Sequence, residues 1–235
     1  MGNNIFSVRL NTAALAAAHS FLSPHEQYGI QTQRVWVERA PGTAVRLHAL
    51  DGHHYICFLL REGNPNGTPF QTFGFRLTPT ELRGVFNGPE YCTESVYVDD
   101  LDGSSPKLRT SGTVMALELS PASDAPDFRK FWVRLDDAGD PPLSDTSVLP
   151  LRAAELFDLR KYFSGAYAAP AFVRRGREMT GVIISGLPYG IDARGIAMQM
   201  NASGSQEVFD EHFGPLVPVW LLEDCLLYTS DAADE

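Results

Sequence analysis

Three times along this chain an alternating apolar run passes into a segment of helical period and then into further alternating runs. That recurrence limits the fold more than any other feature. Ile5 to Leu10 alternates as a strand, and Asn11 stands as an N-cap before the Ala- and Leu-rich run Thr12 to Leu22. Strands are predicted at Gln33 to Arg39, Ala44 to Leu50 and Tyr55 to Leu60, separated by Pro41-Gly42 and Asp51-Gly52 turns. The second cycle has a strand at Gln71 to Leu77, then Thr78-Pro79 as N-cap and first helical residue of a short helix through Phe86. Ser95 to Asp99, Lys107 to Thr110 and Thr113 to Leu119 supply its later strands.

The third cycle follows the acidic, proline-rich stretch Asp136 to Pro142. A helix is predicted over Leu151 to Phe163, with Leu156, Leu159 and Phe163 at core spacing. Strands are expected at Ala171 to Arg174, Thr180 to Ser185, Gly195 to Met200 and Leu216 to Leu221. Such passes predict an α+β chain, with antiparallel sheets that carry their helices on one face.

The final stretch, Cys225 to Glu235, resembles the translated end of a sequencing adapter seen in truncated metagenomic reading frames, and is set aside as an artefact tail. Without its Asp231, Asp234 and Glu235 the formal charge of −10 becomes −7. Residues 1–224 are long enough for a sizeable core. No apolar run approaches the ~18 residues of a membrane span, and Met1 to Asn4 lacks a signal-peptide pattern. Phe6 stands where a myristoylation signal needs Ser or Thr. A cytoplasmic protein is expected. Cys57 and Cys92 have neither disulfide-framework nor zinc-ligand spacing. An acidic surface disfavours nonspecific adhesion to nucleic acid but permits basic residues gathered on one wall.

Three separated segments carry a family resemblance. They are Ala49-Leu50-Asp51-Gly52-His53-His54-Tyr55, Ala125-Pro126-Asp127-Phe128-Arg129-Lys130-Phe131, and Phe213-Gly214-Pro215-Leu216-Val217-Pro218-Val219-Trp220. In this order and separation they resemble the peptide-groove segments of the bacterial and phage DNA sliding clamp, the beta subunit of the replicative polymerase. The resemblance implies the DNA-clamp fold, with residues 1–136 as a complete clamp-like domain of two units and 137–224 as half of another. It also implies a ring around duplex DNA, helices lining its hole, and no catalysis or cofactor. Six domains per ring at one and a half per chain would require four copies.

By matching positions, the groove walls would be Leu50, His53, His54 and Tyr55, then Pro126, Lys130 and Phe131, then Leu216, Val217, Pro218 and Val219. The groove would take short peptides of a DNA polymerase and a clamp loader, by burying one or two apolar side chains in a pocket. Where the family carries Asp-Gly-His-Arg-Leu, this chain has His54 and Tyr55 in the last two places, and Val217-Pro218-Val219-Trp220 replaces Met-Pro-Met-Arg. Both changes remove an arginine fork, and the second trades thioethers for β-branched groups. The family's Arg-Tyr-Tyr-Leu-Asn-Gly region falls on Gly29 to Arg34, where almost nothing is kept. Arg83, Arg152, Arg160 and Lys161 would be the basic residues facing DNA, touching phosphates without reading bases. The first helix offers only His19.

The same residues have plainer readings. Asp51-Gly52 is a hairpin turn in any case, and Pro126-Asp127 reads equally as a turn before an aromatic strand from Phe128 to Val133. His53 and His54 point to opposite faces if both lie in a strand, so at most one enters a shared site. Together with His48 they lack the carboxylate or thiolate spacing of a metal site. Among enzymes, the chain lacks a phosphate loop, nucleophile elbow or zinc-protease helix. Asp99-Asp100 and Asp136-Asp137 sit beside Gly or Pro as solvated turns. The rival to a clamp is a non-enzymatic phage structural or binding module rich in sheet.

Overall fold

The computed structural model describes residues 7–64, 67, 69–86, 95–101, 105–128, 147–150, 155–163, 170–175, 179–184, 187–198, 200–201 and 216–218. Arg129, Lys130, Phe131, Arg152 and Val219 lie outside these, as do Cys92 and the tail from Cys225. So does most of the aromatic strand expected over Phe128 to Val133.

Strand β1 (Ser7–Asn11) runs into helix α1 (Thr12–Ser20), and the Asn11 side chain accepts the Ala14 N–H at 3.0 Å. That bond satisfies one of the donors a helix start leaves open. Strands β2 (Val35–Arg39), β3 (Val45–Leu50), β4 (His54–Leu60) and β5 (Phe73–Phe75) follow. Helix α2 (Pro79–Val85) opens with a full capping box between Thr78 and Glu81. Next come β6 (Ser95–Asp99), β7 (Lys107–Arg109) and β8 (Val114–Ala116). The remaining strands are β9 (Ser147–Pro150), β10 (Pro170–Arg175), β11 (Met179–Ile184), β12 (Ile191–Met198), β13 (Met200–Asn201) and β14 (Leu216–Pro218).

All the paired strands are antiparallel. They form sheets in the orders β1-β6-β7-β8, β10-β11-β12-β4-β3-β2-β5 and β13-β9-β14. The chain is thus α+β with antiparallel sheets, as expected. Its central join is β12 on β4, where Gly195 pairs with Ile56 and Ile196 with Tyr55. Strands of the third cycle therefore extend the sheet begun by the first.

The two faces of the large sheet separate cleanly by alternation. Val35, Val37, Val45, Leu47, Ala49, Ile56, Phe58 and Leu60 point to the face covered by α1 and belong to the main core. Leu82 and Val85 of α2 join that core too. Helix α1 is buried nearly all round, and its alanines let it lie close against the strands. Across it, Phe21 meets Phe157 edge-on at 5.0 Å between ring centres. The opposite face carries Trp36, Leu50, Tyr55, Cys57 and Ile196, packed with Phe128 as a second cluster.

One expectation needs correction. Leu156, Leu159 and Phe163 are buried as their spacing suggests, and Phe157 with them, but they do not ride one continuous helix. Residues 155–157 are helical, Asp158 is extended, and a 3-10 turn over Leu159–Lys161 follows. The cause is local: Asp158 accepts the Arg160 N–H and grips its guanidinium at 2.8 Å through both carboxylate oxygens, starting a new turn.

Candidate functional site

The Asp51-Gly52 turn is built as its residues dictate. Gly52 adopts φ +99°, a region that favours glycine, and Asp51 Oδ1 accepts the N–H groups of His53 at 2.8 Å and His54 at 2.7 Å. Burial raises the Asp51 carboxyl, but the His54 bond and charge and the two backbone donors outweigh it and hold the group below its ordinary value.

The two adjacent histidines part at this turn. His54 begins β4, lies on the core side and is nearly inaccessible. Its Nδ1 donates to Asp51 Oδ2 at 2.8 Å, and its ring stands edge-on to Phe157. His53 stays half-buried, T-shaped to Tyr28 at 6.0 Å. Tyr28 and, two residues on, Ile30 are 41% and 40% exposed and make an apolar ledge on the segment that carries Tyr28. Sequence reading missed this ledge, because the segment Gly29 to Arg34 shares almost nothing with the family pattern. The one legible signal was the large apolar residues flanking Gly29.

On the outer face, Leu50 is opposite Tyr55, and Tyr55 is opposite Ile196. Ala125 and Phe128 pack against this row, some seventy positions away in sequence. Phe128 lies flat on the His48 imidazole, with ring centres 3.9 Å apart and planes 6° from parallel. Beneath it runs a polar chain. The Tyr55 hydroxyl and His48 Nδ1 are 2.7 Å apart, His48 Nε2 and Glu38 Oε2 are 3.3 Å apart, and Arg46 donates to the same Glu38 oxygen at 3.1 Å. One neutral tautomer satisfies both contacts of the imidazole, with Nε2–H donating to Glu38 and Nδ1 accepting from Tyr55.

The electrostatics agree with that assignment. Burial holds His48 below the ordinary imidazole value. The hydrogen bond from His48 is the largest of the effects holding Glu38 below a normal carboxylate. Burial raises Tyr55 well above a normal phenol and pushes the Cys57 thiol up to about 12, so both keep their protons. Cys57 is an inert packing residue rather than a nucleophile.

The fold therefore brings Leu50 and Tyr55 of the first segment to Phe128 and Ala125 of the second, beside half-buried Pro126. His54 lies on the other side of the sheet. Leu216, Val217 and Pro218 form β14, which pairs with β9 in the small sheet, Val217 opposite Leu149. A cleft of about 680 Å³ lies elsewhere, between Phe70, Phe73, Leu101, Pro106, Leu119 and Pro121. It contains none of the residues singled out from sequence.

Of the basic residues, Arg83 is exposed on α2 and bonds within its own helix, to the Pro79 carbonyl and the Thr80 hydroxyl. Arg160 is committed to Asp158, and Lys161 reaches the Glu155 carbonyl and lies over the Tyr162 ring. His19 is not a cation at neutral pH. Its Nδ1 donates to the Leu15 carbonyl at 2.9 Å, its Nε2 accepts the Leu77 N–H at 3.2 Å, and burial lowers it to about 4. Among the described residues, no cluster of His, Cys, Asp and Glu is placed to hold a metal ion, and no helix is long and apolar enough to cross a membrane.

No protein-family model and no curated protein matches the chain. Among solved structures, it is similar to a protein assigned as a DNA polymerase III beta subunit from Eubacterium rectale, at 13% identity and TM-score 0.39. That likeness covers 83% of this chain and 51% of the other, so the chain spans about half its length. Caulobacter crescentus pol III beta gives 13% identity and TM-score 0.43, over 86% of this chain and 68% of that one. A. fulgidus PCNA bound to the C-terminal region of FEN-1 gives 7% identity and TM-score 0.45, over 85% and 99%. The fold described above rests on the chain's own sheets rather than on these likenesses.

Proposed function

We propose that this chain is a DNA sliding clamp, a processivity factor that encircles duplex DNA and tethers a replicative polymerase through a peptide groove. The observation that supports it best is the meeting of Leu50 and Tyr55 with Ala125 and Phe128 on one sheet face. Two of the three segments that resemble clamp groove elements thus converge, although they are distant in sequence. A pocket of this kind suits an extended peptide, whose buried anchor contributes about 1.5 to 3 kcal/mol. Tyr28, Ile30 and His53 would form its exposed rim.

In this reading, residues 1–136 make one clamp-like domain and 137–224 half of another, and four copies close the ring. Arg83, Arg152, Arg160 and Lys161 are the cations offered to phosphates, in transient contacts that weaken with salt. Arg160 contributes less, because its charge is already balanced by Asp158.

The test is fluorescence anisotropy of a labelled peptide carrying the short Gln- and Leu-containing clamp-binding consensus, titrated with the folded chain. Saturable binding in the micromolar range, about 8 kcal/mol, is expected. Tyr55→Ala and Val217→Ala should weaken it without unfolding the protein. A folded chain that leaves the peptide free at hundred-micromolar concentration, and still does so after Phe128→Ala, would remove the groove and its tethering role.

A further inference from the structure

The walls assigned to the groove are covered in this structure. Leu50 is 9% exposed and Tyr55 3%, and the chain's own Phe128, itself 5% exposed, packs in one cluster with them and lies flat on His48. We infer that Phe128 occupies in cis the apolar subsite of Trp36, Leu50, Tyr55 and Ile196, and that a partner peptide enters by displacing it with an aromatic ring of its own. This inference rests on the groove reading above and adds the state in which the groove waits and the chemistry that opens it.

Three features mark Phe128 as an exchangeable occupant. First, the subsite floor is complete without it: Tyr55, His48, Glu38 and Arg46 are hydrogen-bonded among themselves, so departure of the ring strands no polar group of that chain. Second, the segment leading to it enters shallowly. A 3-10 turn over Ala122–Asp124 precedes it, Ala125 and Pro126 are half-buried, and Asp127 is exposed. The backbone is tied to the sheet further back, by the two bonds between Gly74 and Ser120 at 3.0 and 2.7 Å. Third, the floor under the ring is the face of a neutral imidazole, which accepts any flat ring laid on it. An aliphatic anchor fills the same space but forgoes that stacking.

Displacement makes a distinctive prediction, because a cis occupant competes with the ligand. An intrinsic affinity is reduced by the fraction of molecules whose site is open. Phe128→Ala removes the competitor and should bind a labelled consensus peptide ending in Phe about tenfold more tightly than the natural chain. Equal or weaker binding by a folded Phe128→Ala protein overturns the inference, since a residue that merely builds the pocket would give that result. Should this variant fail to fold, 4-fluorophenylalanine at position 128 keeps the ring and reports its surroundings by fluorine NMR. Its resonance should move to the solvent-exposed value in step with peptide saturation. A resonance that stays put while the peptide binds refutes displacement and leaves the groove standing. If neither the natural chain nor Phe128→Ala binds any peptide, the groove reading fails and displacement with it. Binding by Phe128→Ala alone would support displacement in its strongest form.

Discussion

Acid should weaken this fold in a window set by His19. In the native state the ring is enclosed between α1 and the segment leading to α2, with both nitrogens committed, and its pKa falls from 6.5 to about 4. Between these values the unfolded chain binds a proton at this position and the folded chain does not. Stability therefore rises with pH there, and is lost as pH falls from 6.5 towards 4. The full shift corresponds to about 3 kcal/mol, of which about 2 kcal/mol is lost between pH 7 and pH 5. His48 and His53 are also lowered by burial and act in the same direction, so the total slope exceeds that of one histidine. The Asp51 carboxyl, held below its ordinary value, adds acid sensitivity only in a lower window, below about pH 4. The assay is urea unfolding at half-unit steps from pH 7.5 to 4.5, comparing the natural chain with His19→Gln. The variant should lose about 2 kcal/mol of the pH 7 to 5 difference, whatever its stability at pH 7. Parallel curves for the two proteins would refute the reasoning, because they would mean that His19 titrates normally in the fold.

Gly195→Ala should destabilise by about 3 kcal/mol, because an added Cβ would press into the buried Phe157 ring and stand 2.8 Å from the Tyr55 carbonyl oxygen. Gly112→Ala, with nothing within 4 Å, is its control, and matching urea midpoints for the two variants would count against the packing described here. Asn11→Ala should cost about 1 kcal/mol by leaving the Ala14 N–H without its cap, measured by the same unfolding curves. A loss below about 0.3 kcal/mol would show that solvent replaces the cap at no cost.

Much of the framework was legible because its causes are local. Asn11 caps α1, Thr78 and Glu81 close a capping box, and Asp51-Gly52 makes the hairpin turn, each through residues within four positions of one another. Alternation likewise assigned most strands to within a few residues. The helix expected over Leu151 to Phe163 failed for an equally local reason, since the grip of Asp158 on Arg160 outweighed the apolar spacing around it. The candidate site was legible only in part. Leu50 and Tyr55 were named from the first segment, but Phe128, which lies over them, was read as the start of a strand.

The sequence by itself determined where helices and turns begin, which face of each strand is apolar, and that the chain is α+β, because those features depend on side chains a few bonds apart. Only the tertiary structure decided that β12 joins β4, that His54 turns inward while His53 stays beside Tyr28, and that Phe128 seals the Leu50 and Tyr55 face. Each of these is a choice among partners distant along the chain. Burial of apolar area rewards any close-packed pairing, and local pattern does not say which one fills the space.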